Sequence, residues 1–208
     1  HRADQSAAFE REAGNRSPHS MSIVKEAGDL LLESGKITEQ QLEQVRRRQR
    51  RLDLPQHRAI VDLNFASEED TWRALEKLYR DGRVRAIGVC NFMVHHLEEL
   101  LQTAEIVPMV NQVEFHPRLQ SPALVEYCKE KNIQLEAWAP LMKGQVMDIP
   151  ELQQLGEKYG KAPTQVALNW MISRGVVTIP KSSKRERIFA NTDIFDFELT
   201  PQEMEVVN

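Results

Sequence analysis

From Gly82 onward the sequence repeats one pattern: a short apolar run, then an amphipathic stretch long enough for a helix. The runs are Val84–Phe92, Val107–Phe115, Ile133–Pro140 and Val176–Pro180. Between and after them lie Val94–Thr103, Ser121–Asn132, Pro150–Tyr159 with Pro163–Ser173, and Lys184–Asn191. Continuous apolar runs that alternate with helices mark parallel strands buried under helical crossovers. No GxGxxG follows any of the runs, so the doubly wound dinucleotide fold lacks its fingerprint. A β/α barrel is the better expectation. It needs eight strands, and four are counted, so the expected fold is α/β, half of a (β/α)8 TIM barrel.

Punctuation supports the helices. Ser121-Pro122 reads as a cap followed by proline at the first helical position. Gly82, Gly160 and Gly175 stand where helices should stop. Thr200-Pro201-Gln202-Glu203 is a capping box for a last helix.

The region before Gly82 has a different texture. Residues 1–21 are polar, without periodicity, and are expected to be a disordered leader. Residues 22–70 read as a helical segment. Val24, Ala27 and Leu30–Leu32 form an apolar cluster that Gly35 can end. Thr38 with Gln41 is a capping box that opens a second helix through Leu42 and Val45 into Arg46–Arg51. Ala59–Ala66 is ambiguous between helix and strand. Ser67 caps a further helix whose Trp72, Leu75, Leu78 and Tyr79 share one face.

Composition excludes several classes. Hydrophobic residues make up 41% of 208, enough for a core, and the formal charge of −4 argues against a wholly nucleic-acid-binding surface. No apolar run approaches the ~20 residues that span a bilayer, and residues 1–20 have no signal-peptide core. Cys90 and Cys128 share no CxxC spacing. The expectation is a cytoplasmic protein without disulfides, with no nucleic-acid or membrane partner.

In a β/α barrel the site lies at the C-terminal ends of the strands. Those ends carry Cys90-Asn91, Asn111-Gln112 with His116, Trp138 to Leu141, and Lys181-Ser182 followed by Arg187. Asn91 and Gln112 offer amide donors and acceptors, and Trp138 offers a flat face. Lys181, Ser182 and Arg187 put cations and a hydroxyl near a helix N-terminus, where phosphates bind. Each has a plainer reading: Trp138 as core, the amides as satisfied buried groups, and Lys181 and Arg187 as a solvated face. Arg46–Arg51 reads as an exposed helix face. His95-His96 is not expected to hold a metal, because adjacent helical residues do not share a face. Cys90 reads as a small buried thiol.

The stretches TWRALEKLYRDGRVRAIGVCNF, VNQVEFHP, EAWAPLMKGQ, KAPTQVALNW and IPKSSKRERIFANTDIFDFELTPQE, over residues 71–208, resemble the aldo-keto reductases. That resemblance implies that Asn91 and Gln112 hold a nicotinamide carboxamide and that Trp138 stacks on its ring. It implies that the loop to Leu141 passes the pyrophosphate, that Lys181, Ser182 and Arg187 bind a 2′-phosphate, and that Asn191 contacts the adenine. The implied cofactor is NADP(H). Two positions depart from the family pattern: Cys90 replaces a serine, and Ala190 replaces an acidic residue. The family's general acid is a tyrosine, assisted by lysine, aspartate and histidine from the first half of the barrel. No such set is recognised here. Tyr79, Tyr127 and Tyr159 fall in helical stretches, and His116 alone is on the right face. No catalytic residue is therefore assigned, and weak NADP(H) binding with little or no turnover is expected.

Residues 22–78, with ITEQQLEQ and SEEDTWRAL, resemble the N-terminal helical domain of type II secretion and type IV pilus assembly ATPases. Together the two likenesses imply a chimera, natural or engineered, possessing no motor domain. A half barrel would expose sheet edges and an open apolar face, so self-association as a homodimer is expected. The rival reading is a non-enzymatic chimera acting as an interaction module.

Overall fold

The computed structural model describes residues 27–52, 59–60 and 63–207. The expected leader therefore lies outside the described residues, as does most of residues 53–62. The chain divides into two compact units that part between Ser67 and Glu68.

In the first unit, α1 (Ala27–Glu33) and α2 (Glu39–Leu52) pack on one another, with Leu30, Leu31, Leu42 and Val45 buried. The turn between them forms as its residues dictate. Gly35 takes φ +71°, a backbone open to glycine at little cost. Thr38 N–H donates to Gln41 Oε1 at 2.8 Å and Gln41 N–H to Thr38 Oγ1 at 3.2 Å, closing the expected capping box. The arginine run is an exposed face laced to carboxylates: Arg46 pairs with Asp29, and Arg47 and Arg50 both pair with Glu43. Of the ambiguous Ala59–Ala66 stretch, residues 59–60 are helical and residues 63–66 form a turn.

The second unit is a four-stranded, all-parallel sheet in the order β1-β2-β3-β4, with β1 at Gly88–Cys90, β2 at Val110–Glu114, β3 at Gln134–Trp138 and β4 at Val177–Thr178. Its helices are α3 (Glu68–Arg80), α4 (Val94–Leu101), α5 (Pro122–Glu130), α6 (Pro150–Tyr159), α7 (Pro163–Ser173), α8 (Arg185–Thr192) and α9 (Pro201–Val207). A short 3-10 stretch, Met142–Asp148, precedes α6. The strands are shorter than the apolar runs: of Val84–Phe92 only three residues pair, and of Val176–Pro180 only two. Gly88 is required where it stands, because a Cβ there would meet the Val110 carbonyl oxygen at 2.5 Å.

Side chains alternate across this sheet, as strand geometry demands. Asn111, Val113, Leu135 and Ala137 are buried on the helix side, with Leu97, Leu124, Leu152 and Val166. Trp170 on α7 is fully buried and stacks on Phe115, centroids 5.8 Å apart. α3 belongs to this unit. Its Trp72 packs with Ile87 and Leu100, and its buried Glu76 carboxylate accepts the Glu105 and Ile106 backbone N–H groups, both at 2.8 Å. Buried carboxylates survive where such donors satisfy them. The Thr200–Glu203 box opens α9 as expected.

Two expectations need correction. Ser121 precedes α5 in a left-handed conformation (φ +45°) and makes no side-chain cap, so Pro122 alone starts that helix. The sheet face opposite the helices is not apolar. It carries Cys90, Gln112, Glu114, Glu136 and Trp138, because the buried positions of β2 and β3 take the other parity. The rings of His95 and His96 do approach, to 3.9 Å between centroids. However, His96 Nδ1 accepts the Met93 N–H at 3.1 Å and so closes the start of α4. No metal-holding group of histidine, cysteine and carboxylate occurs among the described residues.

Candidate functional site

The parallel ladder sets the nominated residues side by side. Cys90 faces Gln112, Gln112 faces Glu136, and Glu114 faces Trp138. The row sits on the sheet face away from the helices, at the C-terminal ends of β1, β2 and β3.

Asn91 follows β1 with φ +60°, while its N–H still donates to the Gln112 carbonyl at 2.8 Å. Asparagine tolerates the left-handed region better than most residues, and the turn directs its side chain toward β3. There Trp138 Nε1–H donates to Asn91 Oδ1 at 2.8 Å. Gln112 Nε2 donates to Glu136 Oε1 at 2.5 Å, and the Cys90 thiol lies 4.0 Å from Gln112 Oε1. Among the described residues both amides are therefore half used: Asn91 keeps its two N–H donors, and Gln112 keeps its oxygen, apart from the weak thiol contact. Trp138 is half-buried rather than core. The plain reading of these amides as merely satisfied sheet-end groups accounts for only one side of each.

Beyond Trp138 the backbone turns through Ala139, at φ +50°. A non-glycine residue here stores strain of the kind that collects at binding loops. The loop then closes with Met142 N–H on the Ala139 carbonyl and Gly144 N–H on that of Leu141. Leu141 itself packs against the main core.

The second nominated group lies past β4, which is tied to β3 by Ile179 N–H donating to the Ala137 carbonyl. Ser182 Oγ accepts the Lys184 N–H at 3.1 Å, a local turn just before α8. Lys181 and Arg187 are exposed, and neither forms an ion pair among the described residues. Asn191 is half-buried near the end of α8. Lys181, Ser182 and Arg187 share this end of the molecule, and among the described residues Ser182 bonds only to the Lys184 backbone. His116 is engaged within the fold. It is buried, its Nδ1 accepts the Arg118 N–H at 3.2 Å, and its Nε2 lies 3.5 Å from Glu114 Oε1.

Two positioning residues have no role assigned from sequence. Gln165 and Asn169, one helical turn apart on α7, donate to the carbonyls of Asp193, Ile194 and Phe197. They thereby anchor the chain leaving α8. Two amides at i and i+4 within the apolar PTQVALNW run were the available signal. A 400 Å³ cleft lined by Cys128, Lys129, Gln134, Arg174 and Val176 opens at the other end of the sheet and includes none of the nominated residues. Burial raises the Cys128 thiol above its ordinary value, only partly opposed by a hydrogen bond from Asn111. That thiol therefore stays protonated and packs as core.

This order of strands and strand-end residues has known counterparts. The family model for the aldo/keto reductase family matches residues 32–208. The chain belongs to the aldo/keto reductase family. The match begins well before residue 71, where the motifs alone had set the boundary. The chain is 62% identical over 140 residues to the glyoxal reductase of Bacillus subtilis, covering 67% of this chain and 51% of the relative. Among solved structures it is similar to MGS-M4, an aldo-keto reductase from a deep-sea metagenome library, with TM-score 0.65 and 48% identity over 66% of this chain and 52% of that one. It is also similar to a Gox0644 mutant solved in complex with NADPH, with TM-score 0.66 and 37% identity over 71% of this chain and 54% of that one. The chain spans about half the length of the curated relatives it matches. NADPH- and NADP-bound structures recur among its solved relatives. No described helix is long and apolar enough to cross a membrane.

Proposed function

We propose that the C-terminal strand ends of this chain bind NADP(H), as half of an aldo-keto reductase barrel, and that the chain alone turns over little carbonyl substrate. The observation that carries the reading is the pair of half-used amides. A carboxamide presents one acceptor and one donor pair. Asn91 keeps N–H groups to give and Gln112 keeps an oxygen to accept, one residue apart across β1 and β2. The Trp138 ring lies against Asn91 and offers the face on which a nicotinamide can stack. Lys181 and Arg187, without carboxylate partners among the described residues, suit a 2′-phosphate, and Ser182 offers a hydroxyl close by in sequence. The strained turn at Ala139 to Leu141 suits the pyrophosphate, and Asn191 suits the adenine. Bound NADP(H) would supply or accept a hydride. The residues described above bind, orient and shield it.

Proton donation is where support ends. Tyr79 and Tyr127 lie on α3 and α5, and the Tyr159 hydroxyl donates to Glu203 on α9 at 2.7 Å. None stands beside Trp138 as a general acid, a role worth ~10²–10⁴-fold in rate. The same observation favours the second reading, a non-enzymatic chain that acts as an interaction module. Unpaired outer edges on β1 and β4 among the described strands support self-association as a homodimer.

Calorimetric titration with NADP+ tests the first reading. Saturable binding that weakens severalfold in Trp138→Phe is expected, and no binding at millimolar cofactor rejects it. Reduction of glyoxal or methylglyoxal by the purified chain should stay at background; turnover lost in Lys181→Ala would overturn the low-activity claim. Light scattering after gel filtration should give a dimer mass, and a clean monomer rejects self-association.

A further inference from the structure

The geometry points to Glu136 as a positioning residue that makes the site select a carboxamide over a carboxylate, an inference that rests on the cofactor reading above. Glu136 sits on β3, directly across the ladder from Gln112, half-buried, on the face away from the helices. Its other ladder neighbour is Val177, so no cation flanks it in the row. Among the described residues its one hydrogen-bond partner is Gln112 Nε2, at 2.5 Å.

Its chemistry gives it a task. An ionised carboxylate only accepts, and an indole N–H only donates. The Gln112 atom facing Glu136 must therefore be nitrogen, and the Asn91 atom facing Trp138 must be oxygen. The two outer groups thus fix both amides in opposite senses. Gln112 presents oxygen, which takes an amide N–H and repels a carboxylate. Asn91 presents N–H, which takes the carbonyl oxygen in either case. Discrimination between amide and acid falls on Gln112, and Glu136 sets its direction. The Cys90 thiol, 4.0 Å from Gln112 Oε1, can add a weak donor but cannot reverse the amide.

Glu136→Gln removes the constraint at nearly constant shape, since an amide partner accepts or donates and Gln112 is then free to turn. Glu136→Leu removes the partner altogether. The full chain and both variants are titrated calorimetrically with NADP+, with its nicotinic acid analogue and with its 3-acetylpyridine analogue. Circular dichroism and thermal melting check that each variant folds. In the parent chain the acid should bind at least tenfold more weakly than NADP+, and the acetyl analogue about fivefold more weakly, the worth of one neutral hydrogen bond. In both variants the acid should gain affinity in absolute terms, and the acetyl penalty should shrink toward twofold. A purely structural residue would not raise affinity for the acid.

An unchanged acetyl penalty beside improved acid binding would mean that Glu136 acts by charge alone, and would overturn the positioning claim. Unchanged ratios for both analogues would overturn it as well, while leaving NADP(H) binding intact. Failure of the parent chain to bind NADP+ at all removes the cofactor reading and this inference together. If Glu136→Leu does not fold, the Glu136→Gln titrations decide.

Discussion

The two faces of one four-stranded sheet do different work. Toward the helices, β2 and β3 present Asn111, Val113, Leu135 and Ala137, all buried. On the other face the same strands present Gln112, Glu114, Glu136 and Trp138, half-buried and mostly polar. Both faces carry an asparagine or glutamine, and the contrast between those amides is instructive. Asn111 is fully buried and clasps the Phe92 backbone, its Nδ2 donating to the carbonyl at 2.8 Å. Gln112, the next residue, has its nitrogen held by Glu136 and its oxygen met only by the weak Cys90 thiol contact. Period-two alternation puts one amide in the core and its neighbour in the site. A polar group with every bond closed inside the chain serves the fold, whereas one fixed on a single side is prepared for a ligand.

Two tryptophans give the strongest way to break this division. Trp170 is fully buried on the helix side, whereas Trp138 is half-buried on the other. Trp170→Ala should cost ~3–5 kcal/mol of unfolding free energy through the cavity it leaves. Trp138→Ala should cost well under half of that and abolish NADP+ binding. Urea unfolding followed by circular dichroism checks the first claim, and calorimetry the second. Equal losses of stability would erase the distinction between the faces. Asn111→Leu comes next. It removes a buried hydrogen bond and strands the Phe92 carbonyl, which should cost ~1–3 kcal/mol with NADP+ affinity lowered only indirectly.

The cations divide in the same way. Lys158 pairs with Glu203 at 2.6 Å, and Lys161 pairs with Asp193 and Asp196. Lys181 and Arg187 pair with nothing among the described residues. Lys181→Ala should therefore leave the unfolding free energy within about 0.5 kcal/mol of the parent, as surface changes usually do. It should weaken NADP+ about tenfold while hardly altering NAD+, as the loss of one charge-assisted contact to a phosphate would. Parallel titrations with the two dinucleotides check it, and equal weakening of both would remove the 2′-phosphate assignment.

Much of the helical layer is legible in the sequence. Pro150 and Pro163 begin α6 and α7 where expected, and Gly160 ends α6 at φ +66°. These are local signals, complete within a few residues. The strand cores were placed but not their lengths, because pairing depends on the neighbouring strand. Glu76 and Glu136 were missed for the same reason. Their partners lie 24 to 30 residues away, and nothing beside them in sequence distinguishes them from surface carboxylates. The open apolar face expected of a half barrel is not found. Within VNQVEF and QLEAW, Gln112, Glu114, Gln134 and Glu136 fall at alternate positions and share one side, while Asn111 lies on the other.

The smallest expected effect concerns a lysine–tyrosine pair that is structural. Glu203 receives Lys158 Nζ, the Tyr159 hydroxyl and the Thr200 N–H, and these hold its carboxyl down at about 2 from an ordinary 4.5. The same contacts raise Lys158 and Tyr159 above their ordinary values. A carboxyl held low in the fold favours folding at pH above about 4.5, and that contribution fades as pH falls toward about 2. Glu203→Gln should therefore lower the melting temperature slightly at neutral pH and narrow its gap from the parent across that acid window. NADP+ affinity at neutral pH should not change, since the group lies between α6 and α9, away from the strand ends. A gap that stays constant from pH 7 down to pH 2 would show that the Lys158–Glu203–Tyr159 contacts contribute no charge-dependent stability. A loss of NADP+ binding in the variant would instead bring this pair into the site and undo the separation of fold-serving from ligand-serving charges.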